Sequence, residues 1–363
     1  MNRCFVSDRT SDQIPLLFRC DASVVTGTGH AMRCLALAQA WQDQGGRAVF
    51  AMAEATAAIE ERLRSENVLL VRVNCPPGGS ADASLLLNLM QEQHSAWVVT
   101  DGYKFSASYH RALKEHDSKI LSIDDNGEAG TYACDLILNQ NLHARQDLYR
   151  HREGSVRLLL GPSYALLRRE FLHARFPRDI SPVACKLLVS MGGSDPGNVT
   201  SRVLEALESL DIPHLEVAVV TGGSNPHAKS VAAACASSKH ACQVCNDVAN
   251  MAELMTWADL AVSAAGSVCW EYCALGLPAL LVTVADNQVP NALALRDAGA
   301  AKLLSGGSQF AIDEMTQAIM QLALSVPDRR SLSEKARTLV DGCGATRVLS
   351  AMFGDALPPR GNA

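Results

Sequence analysis

The sequence predicts an α/β protein made of two similar domains, each built around a parallel sheet and facing the other across a cleft. Short apolar runs alternate with longer amphipathic stretches along the chain, which is the pattern of successive βα units. A length of 363 residues, with 48% hydrophobic and 19% charged residues, is enough to form two buried cores. A Gly-Gly-Ser loop follows an apolar run twice, at Gly192 and at Gly222, as expected of a repeated unit.

The first half of the chain contains six predicted strands with helices between them. They are Leu16–Phe18, Ala48–Ala51, Leu69–Val73, Trp97–Thr100, Ile120–Ile123 and Leu136–Leu138. The segment from Arg168 to Pro182 is charged and contains two prolines, which indicates a linker between the domains. The second half repeats the pattern of the first. Its predicted strands are Leu187–Ser190, Val217–Val220, Leu260–Ser263, Leu280–Val284 and Ala301–Leu304.

These strands define the expected domains. We expect an N-terminal Rossmann-like domain over residues 15–178 and a C-terminal Rossmann-like domain over residues 183–352. Residues 1–14 are predicted to be an extension and residues 353–363 a tail, because both are polar or rich in Pro and Gly. Ligands of open α/β sheets bind at the carboxyl ends of the strands, so the loops after the strands are the candidate functional regions.

The most informative segment is the turn that opens the first helix, with Gly27, Gly29, His30 and Arg33. Gly27 and Gly29 allow close approach of the backbone to a ligand, and His30 follows them at a helix N-terminus, where free N–H groups favour an anion. The imidazole could take a proton from a hydroxyl or a water held there. A histidine that only caps or packs against a tight turn is the alternative. Met32 stands where a dinucleotide fingerprint needs its third glycine, which disfavours a nicotinamide or flavin.

A second anion site is predicted in the other half of the chain. Gly266 and Ser267 open a helix after an apolar strand, and Gly276 closes it. The backbone N–H groups of Gly266, Ser267 and Val268 suit a diphosphate. Glu271, about one turn into the helix, could accept hydrogen bonds from a ribose diol, or could only complement the helix dipole.

Two further loops of the second half carry polar residues. Gly193 and Ser194 follow a strand, and contact with phosphate or sugar is favoured there, whereas the matching loop at Gly222 fits simple turn chemistry equally well. Asn287 and Gln288 follow the predicted strand Leu280–Val284. Their side-chain amides can donate hydrogen bonds to sugar hydroxyls and accept hydrogen bonds from them. Such amide pairs also occur in loops that are only turns.

Composition and charge exclude several classes of partner. The net charge of −6 and the lack of a dense Lys/Arg run argue against nucleic acid. The N-terminus lacks the apolar core of a signal peptide, and no stretch reaches the roughly 18 apolar residues of a membrane span. We therefore expect a cytoplasmic protein with no membrane partner. The twelve cysteines are scattered, as in a reducing compartment. Cys242 and Cys245 form a CxxC, but no second ligand pair follows, so no metal site is predicted.

Taken together, the motifs resemble those of the PseG family. They are GTGHAMRCLALAQAW from Gly27, TDGY from Thr100, SIDD from Ser122, GPSYALLRREF from Gly161, SMGGSDPGN from Ser190, SAAGSVCWEYCALGLP from Ser263 and ADNQ from Ala285. The resemblance extends from about Leu16 to Val348. Members of this family are UDP-2,4-diacetamido-2,4,6-trideoxy-β-L-altropyranose hydrolases of pseudaminic acid biosynthesis, a pathway of flagellin glycosylation. They are related in fold to the MurG-type GT-B glycosyltransferases.

The resemblance implies a GT-B fold and a hydrolase that releases UDP by inverting attack of water at the anomeric carbon, without a cofactor or a metal. It implies that His30 is the general base in the N-terminal domain and that the C-terminal domain binds UDP. The residues expected at the sugar are Tyr103, Asn287 and Asp101. The residues expected at the nucleotide are Gly29, Gly193, Ser194, Gly266, Ser267, Val268, Glu271 and Gln288. The sequence departs from the family pattern at Gly102 and Lys104, beside Tyr103.

Several alternatives stay open at this point. Asp101, Asp124 and Asp125 lie at strand ends, where they could orient His30 or bind sugar hydroxyls, and loop capping explains the latter two equally well. A GT-B glycosyltransferase would share the nucleotide half of the site, as would a non-catalytic UDP-sugar-binding protein. The expected partners are a UDP-sugar substrate and neighbouring enzymes of the same pathway.

Overall fold

Two parallel sheets, each flanked by helices, organise the chain. The computed structural model describes residues 13–23, 27–115, 117–223, 225–246 and 248–354. Most of the predicted extension (1–12), most of the predicted tail (355–363) and Ser224 of the second Gly-Gly-Ser loop lie outside the described residues. No described helix combines the length and the apolar character needed to cross a membrane.

The N-terminal sheet has seven strands that all pair in parallel. In chain order, with two short strands included, the strands are β1 Pro15–Cys20, β2 Arg47–Met52, β3 Leu69–Arg72, β4 Trp97–Asp101, β5 Lys119–Ile123, β6 Thr131–Tyr132, β7 Leu136–Asn139, β8 His151–Arg152 and β9 Arg157–Leu160. The sheet order is β3-β2-β1-β4-β5-β7-β9, and β6 pairs with β8 separately. The chain reverses its direction of travel across the sheet between β1 and β4, which is where open α/β sheets bind their ligands.

Helices cover both faces of this sheet. They are α1 Gly29–Gln42, α2 Ala57–Ser65, α3 Ser80–Gln93 and α4 Ala107–Lys114, with 3₁₀ turns at Gln146–Tyr149 and Pro162–Tyr164. Helix α5, Arg169–His173, follows and lies between the domains. Every residue of β1 is buried, because helices cover it on both faces and strands flank it on both edges.

The C-terminal sheet repeats the arrangement with six parallel strands. These are β10 Lys186–Ser190, β11 Glu216–Thr221, β12 Ala241–Asn246, β13 Leu260–Ala264, β14 Ala279–Val282 and β15 Lys302–Leu303, in the order β12-β11-β10-β13-β14-β15. The helices are α6 Val199–Leu207, α7 Ala228–Ser237, α8 Met251–Trp257, α9 Cys269–Leu275, α10 Val289–Asp297, α11 Ile312–Leu324, α12 Val326–Leu339 and α13 Gly344–Phe353, with 3₁₀ turns at Asp286–Gln288 and Gly307–Gln309. The predicted α/β class with two parallel sheets is confirmed.

The two large sheets contain two strands that the sequence does not predict, β9 and β12. Strand β12 lies at an edge of the C-terminal sheet, and its residues are half-buried or exposed, so its sequence lacks the continuous apolar run of a central strand. Cys242 and Cys245 lie on this strand and pair with Val217 and Val220 of β11. The CxxC motif is therefore part of a sheet edge.

The last helix departs from the predicted domain division. Helix α13, which falls almost wholly within the C-terminal range 183–352, packs on α1 of the N-terminal domain. Val348 and Leu349 are fully buried in the N-terminal core, and the Phe353 ring stacks on Trp41 with centroids 4.4 Å apart. The apolar face of α13 therefore packs against the apolar side chains of the N-terminal core.

The linker is held against the C-terminal domain by two arginines. Arg178 donates hydrogen bonds to the carbonyl oxygens of Ala258 and Leu275, which end α8 and α9. Arg329 donates to the carbonyl oxygens of Leu322 and Ser181. Both guanidiniums satisfy carbonyl groups that helix ends and the linker leave unpaired.

Candidate active site

The turn between β1 and α1 places an imidazole at the cleft. Gly27 has φ +74°, a left-handed conformation that favours glycine, and Thr28 is the N-cap of α1. His30 follows in the first turn, and only 9% of its surface is exposed. Its ring contacts that of Tyr103 edge-to-face, with centroids 5.1 Å apart. The predicted base is thus in a sheltered position against the loop after β4.

Behind His30, a buried ion-pair cluster joins three elements. Arg33 of α1 makes two hydrogen bonds of 2.6 Å to the carboxylate of Asp101 at the end of β4. The same guanidinium donates to both oxygens of Asp125, at 2.8 and 2.9 Å. Asp101 Oδ1 also lies 4.0 Å from His30 Nε2. One guanidinium therefore connects the two carboxylates nearest the imidazole.

The pKa shifts in this cluster follow from burial and from the ion pairs. Burial opposes the charge of Arg33, but Asp101 and Asp125 outweigh it and hold the pKa of the guanidinium well above its usual value. Burial would likewise raise the pKa of Asp125, but Arg33 outweighs it, and the pKa of Asp125 lies below its usual value. Arg33 and Asp125 are therefore charged at neutral pH.

The neighbouring carboxylate, Asp124, has a structural role. It accepts hydrogen bonds from the backbone N–H of Gly127 at 2.6 Å and from the hydroxyls of Tyr132 and Tyr149 at 2.7 and 3.0 Å. Of the two readings left open for Asp124, loop capping is the one that its contacts match. Asp125 is instead held by Arg33 and by Asn141 Nδ2, at 2.8 Å.

Tyr103 closes the cleft over this cluster. Its hydroxyl accepts a hydrogen bond of 3.2 Å from Nδ2 of Asn287, which belongs to the C-terminal domain. Two of the three residues predicted to lie at the sugar are thus brought together across the cleft. The cavity left beside His30 and Asp101 measures about 30 Å³, which is room for one or two water molecules.

The turn before α9 meets the turn before α1. The helix begins at Cys269, later than predicted, and residues 266–268 form the turn that precedes it. The backbone N–H groups of Gly266, Ser267 and Val268 donate to no other described residue. A Cβ atom on Gly29 would lie 3.4 Å from Ser267 Oγ, so the two turns are in contact.

Gln288 is attached to this same region. Its Oε1 accepts a hydrogen bond of 3.0 Å from the backbone N–H of Val284, and its Nε2 would lie 3.8 Å from a Cβ atom on Gly266. One end of the amide therefore fixes the loop after β14. The other end points toward the turn before α9.

The two Gly-Gly-Ser loops pack against each other at the edge of the cleft. A Cβ atom on Gly222 would lie 2.4 Å from the carbonyl oxygen of Gly193, so only glycine fits at position 222. A Cβ atom on Gly193 would lie 3.7 Å from Thr28 Oγ1 of the N-terminal domain. Gly193 therefore lies against the turn before α1, and Ser194 beside it is half-buried.

Glu271, predicted to bind ribose, is ion-paired in this structure. Its Oε1 lies 3.1 Å from Nη2 of Arg168. The Nε atom of Arg168 also donates a hydrogen bond of 2.8 Å to Glu170. Burial raises the pKa of Glu271, Arg168 lowers it and Glu170 raises it, which leaves the pKa at about 7. The carboxyl is therefore close to half-protonated at neutral pH.

The sequence predicts no role for two arginines of the site. Arg33 stands in the predicted segment with His30, and its spacing of three residues on one helix face is the signal that could have assigned it a role beside the imidazole. Arg168 stands within the linker motif, and its partner Glu271 is distant in sequence, so no local pattern identifies the pair.

Among the described residues, no group of three or more His, Cys, Asp or Glu side chains is arranged to hold a metal ion.

Known proteins resemble this chain in sequence and in fold. Residues 187–338 match the family model described as the glycosyltransferase family 28 C-terminal domain. The spore coat polysaccharide biosynthesis protein SpsG of Bacillus subtilis is 30% identical over 240 residues, which are 66% of this chain and 70% of SpsG. A UDP-2,4-diacetamido-2,4,6-trideoxy-β-L-altropyranose hydrolase of Campylobacter jejuni is 30% identical over 223 residues, 60% of this chain and 72% of the hydrolase.

The likeness in fold extends over nearly the whole chain. The crystal structure of Acinetobacter baumannii MurG matches with a TM-score of 0.64, over 93% of this chain and 98% of MurG, at 16% identity. The chain has the expected GT-B fold, with two Rossmann-like domains facing each other across the cleft.

Proposed function

Since the chain belongs to the family that contains SpsG and the Campylobacter hydrolase, and carries a glycosyltransferase family 28 C-terminal domain, we propose that it is a UDP-sugar hydrolase. The proposed substrate is UDP-2,4-diacetamido-2,4,6-trideoxy-β-L-altropyranose, and the proposed pathway is pseudaminic acid biosynthesis. The observation that supports hydrolysis most directly is the water-sized cavity beside His30, lined by Tyr103, whose hydroxyl accepts a hydrogen bond from Asn287. A hydrolase needs a place for one water next to a base.

In the proposed complex, the two turns at the cleft bind the diphosphate. The free N–H groups of Gly266, Ser267 and Val268 donate to its oxygens, and Gly29 and Gly193 allow close approach from the facing loops. Ser194 and Gln288 supply further donors at the nucleotide. Glu271 accepts hydrogen bonds from the ribose once it turns from Arg168.

The sugar lies between His30 and the diphosphate. To enter, it separates Tyr103 from Asn287, and both side chains then hydrogen-bond to its substituents, with Asp101 below. His30 takes a proton from water while the water oxygen forms a bond to the anomeric carbon. The bond from that carbon to the diphosphate oxygen breaks, and UDP leaves with the electron pair. Attack from the face opposite UDP inverts the configuration at this carbon.

One experiment tests both the reaction and the position of attack. Purified protein is incubated with a panel of UDP-sugars in ¹⁸O-labelled water, and mass spectrometry locates the label. We expect UDP release from the diacetamido sugar, with label in the sugar hydroxyl and none in UDP. Label in UDP would mean attack at phosphorus and would exclude the proposed mechanism.

A glycosyltransferase is the second candidate, and the family 28 match over residues 187–338 favours it. The nucleotide half of the site would be the same in both enzymes. A transferase would release UDP slowly in water and rapidly once an acceptor sugar or lipid is added. Release at full rate in water alone therefore separates the hydrolase from the transferase.

A further inference from the structure

Arg33 is placed to control the carboxylate that faces His30. It follows His30 by three positions on α1, so both side chains project from one face of the helix. Its Nε and Nη2 atoms bind the two oxygens of Asp101, each at 2.6 Å, and Nη1 binds Asp125. The side chain of Arg33 is only 6% exposed. This two-point contact fixes both the position and the rotation of the Asp101 carboxylate.

The two oxygens of Asp101 then have different surroundings. Oδ2 accepts from Arg33 Nε and lies 3.6 Å from Sγ of Cys34, a buried thiol. Oδ1 accepts from Arg33 Nη2 and is the oxygen that faces His30 Nε2, at 4.0 Å. This separation is longer than a hydrogen bond, and catalytic contacts are often long in the free enzyme and shorten when substrate binds.

We propose that Arg33 is a positioning residue for the proposed hydrolysis: by fixing Asp101, it keeps the proton of neutral His30 on Nε2 and leaves Nδ1 to take the proton from water. The carboxylate accepts the Nε2–H, which selects one tautomer of the imidazole and stabilises the imidazolium that forms. This inference rests on the proposed function for its catalytic consequence. The tautomer itself can be measured without any substrate.

Charge is the second contribution of Arg33. The charged and titratable groups around His30 are Arg33 on its own helix, Asp101 and Tyr103 at and after β4, and Asp124, Asp125 and Glu128 after β5. On the C-terminal side, the nearby polar residues Ser267 and Asn287 are uncharged. Without the guanidinium, the carboxylates would favour the protonated imidazole, which cannot act as a base.

Two variants separate positioning from charge. Arg33→Lys keeps the charge but loses the two-point contact, so we expect kcat to fall about 10-fold, with the acidic limb of the kcat/KM profile in place. Arg33→Gln loses both the charge and the two-point contact, so the acidic limb of the kcat/KM profile should also move to higher pH by about one unit. Arg19→Lys is the matched control, because Arg19 forms an equally buried pair with Asp82 outside this cavity. It should change neither kcat nor the profile.

The direct readout is ¹⁵N NMR of the His30 ring in the free protein at high pH. We expect the Nε2–H tautomer in the wild type and in Arg19→Lys, and a mixture of tautomers in Arg33→Lys. Asp101→Asn, which keeps the shape of the side chain, should give the same mixture if the Arg33 variants fail to fold. A wild-type Nδ1–H tautomer, or a tautomer unchanged in the Arg33→Lys and Asp101→Asn variants, would overturn the inference. Because this NMR measurement needs no turnover, it tests the role of Arg33 even if the protein does not hydrolyse UDP-sugars.

Discussion

The site depends first on a few side chains with unusual surroundings. His30 lies nearly buried between the Tyr103 ring and the Asp101 carboxylate, in a cavity of water size. Such an imidazole is suited to take a proton from one water molecule and is poorly accessible to bulk solvent. A hydrolase and a non-catalytic UDP-sugar-binding protein would therefore differ in how they respond to the loss of His30.

For His30→Ala, we expect turnover of the UDP-sugar to fall by about 10²–10⁴-fold, because a general base typically contributes that much. UDP binding should persist, since the proposed nucleotide contacts lie on other residues. The measurements are UDP release and calorimetric titration with UDP. His143→Ala is the control, as His143 is a half-buried histidine of the same domain that does not line the cavity. Unchanged turnover in His30→Ala would remove this residue from the mechanism.

Glu271 allows a prediction about pH and stability. Burial raises its pKa from 4.5 to about 7, despite the attraction of Arg168. Between these values the folded protein keeps a proton that the unfolded chain has lost, so stability falls as pH rises through this window. We expect the wild type to lose about 2–3 kcal/mol of unfolding free energy relative to Glu271→Gln between pH 5 and pH 8. Urea unfolding of both proteins at the two pH values measures this difference, and parallel curves would contradict it.

At the scale of elements, the short helix α9 links the candidate nucleotide site to the packing behind it. Its first turn follows residues 266–268, and its last turn ends at Gly276, which has φ +61°. A Cβ atom there would lie 2.6 Å from Arg337 Cδ and 2.8 Å from Ser333 Oγ on α12. The glycine therefore satisfies both a left-handed backbone and a close helix contact.

For Gly276→Ala, we expect a loss of about 1–2 kcal/mol in unfolding free energy and a lower melting temperature. The left-handed conformation costs about 1 kcal/mol, and displacement of Arg337 and Ser333 adds to it. Gly45→Ala is a matched control, because Gly45 has φ +84° and no atom within 4 Å of its Cβ position. A loss in Gly276→Ala no larger than in Gly45→Ala would show that the contact with α12 adds nothing.

At the scale of the whole molecule, the two domains meet at several places besides the turns that contact each other at the cleft. Tyr103 and Asn287 meet across the cleft, α5 lies between the domains with Arg168 and Arg169 on opposite sides, and α13 returns to the N-terminal domain. Arg169 pairs with Glu66 of the N-terminal domain, whereas Arg168 pairs with Glu271. The chain therefore crosses between the domains twice.

For Leu349→Ala in α13, we expect a loss of about 2–5 kcal/mol, since Leu349 is 1% exposed in the N-terminal core. Hydrogen exchange should speed up in α1 and β1 more than in β10, because the cavity forms in the N-terminal domain. Leu322→Ala, in the C-terminal core, is the control and should show the opposite pattern. Faster exchange confined to β10 in Leu349→Ala would contradict the packing of α13.

The α/β class, the order of the main strands and the turns at the candidate site follow from local patterns in the sequence. Apolar runs mark strands that are buried on both faces, and glycines such as Gly27 and Gly276 mark left-handed turns, because these requirements are local to the chain. Edge strand β12 escaped prediction because a half-exposed strand carries no continuous apolar run.

Which side chains meet depends on how the folded elements pack. Arg33 binds Asp101 and Asp125, which lie 68 and 92 residues further along the chain, and Arg168 binds Glu271 from the other domain. The same holds for α13, whose apolar face has the periodicity of a core helix but does not specify which core it covers. Partners distant in sequence leave no periodic pattern, because they are selected by the packing of whole elements.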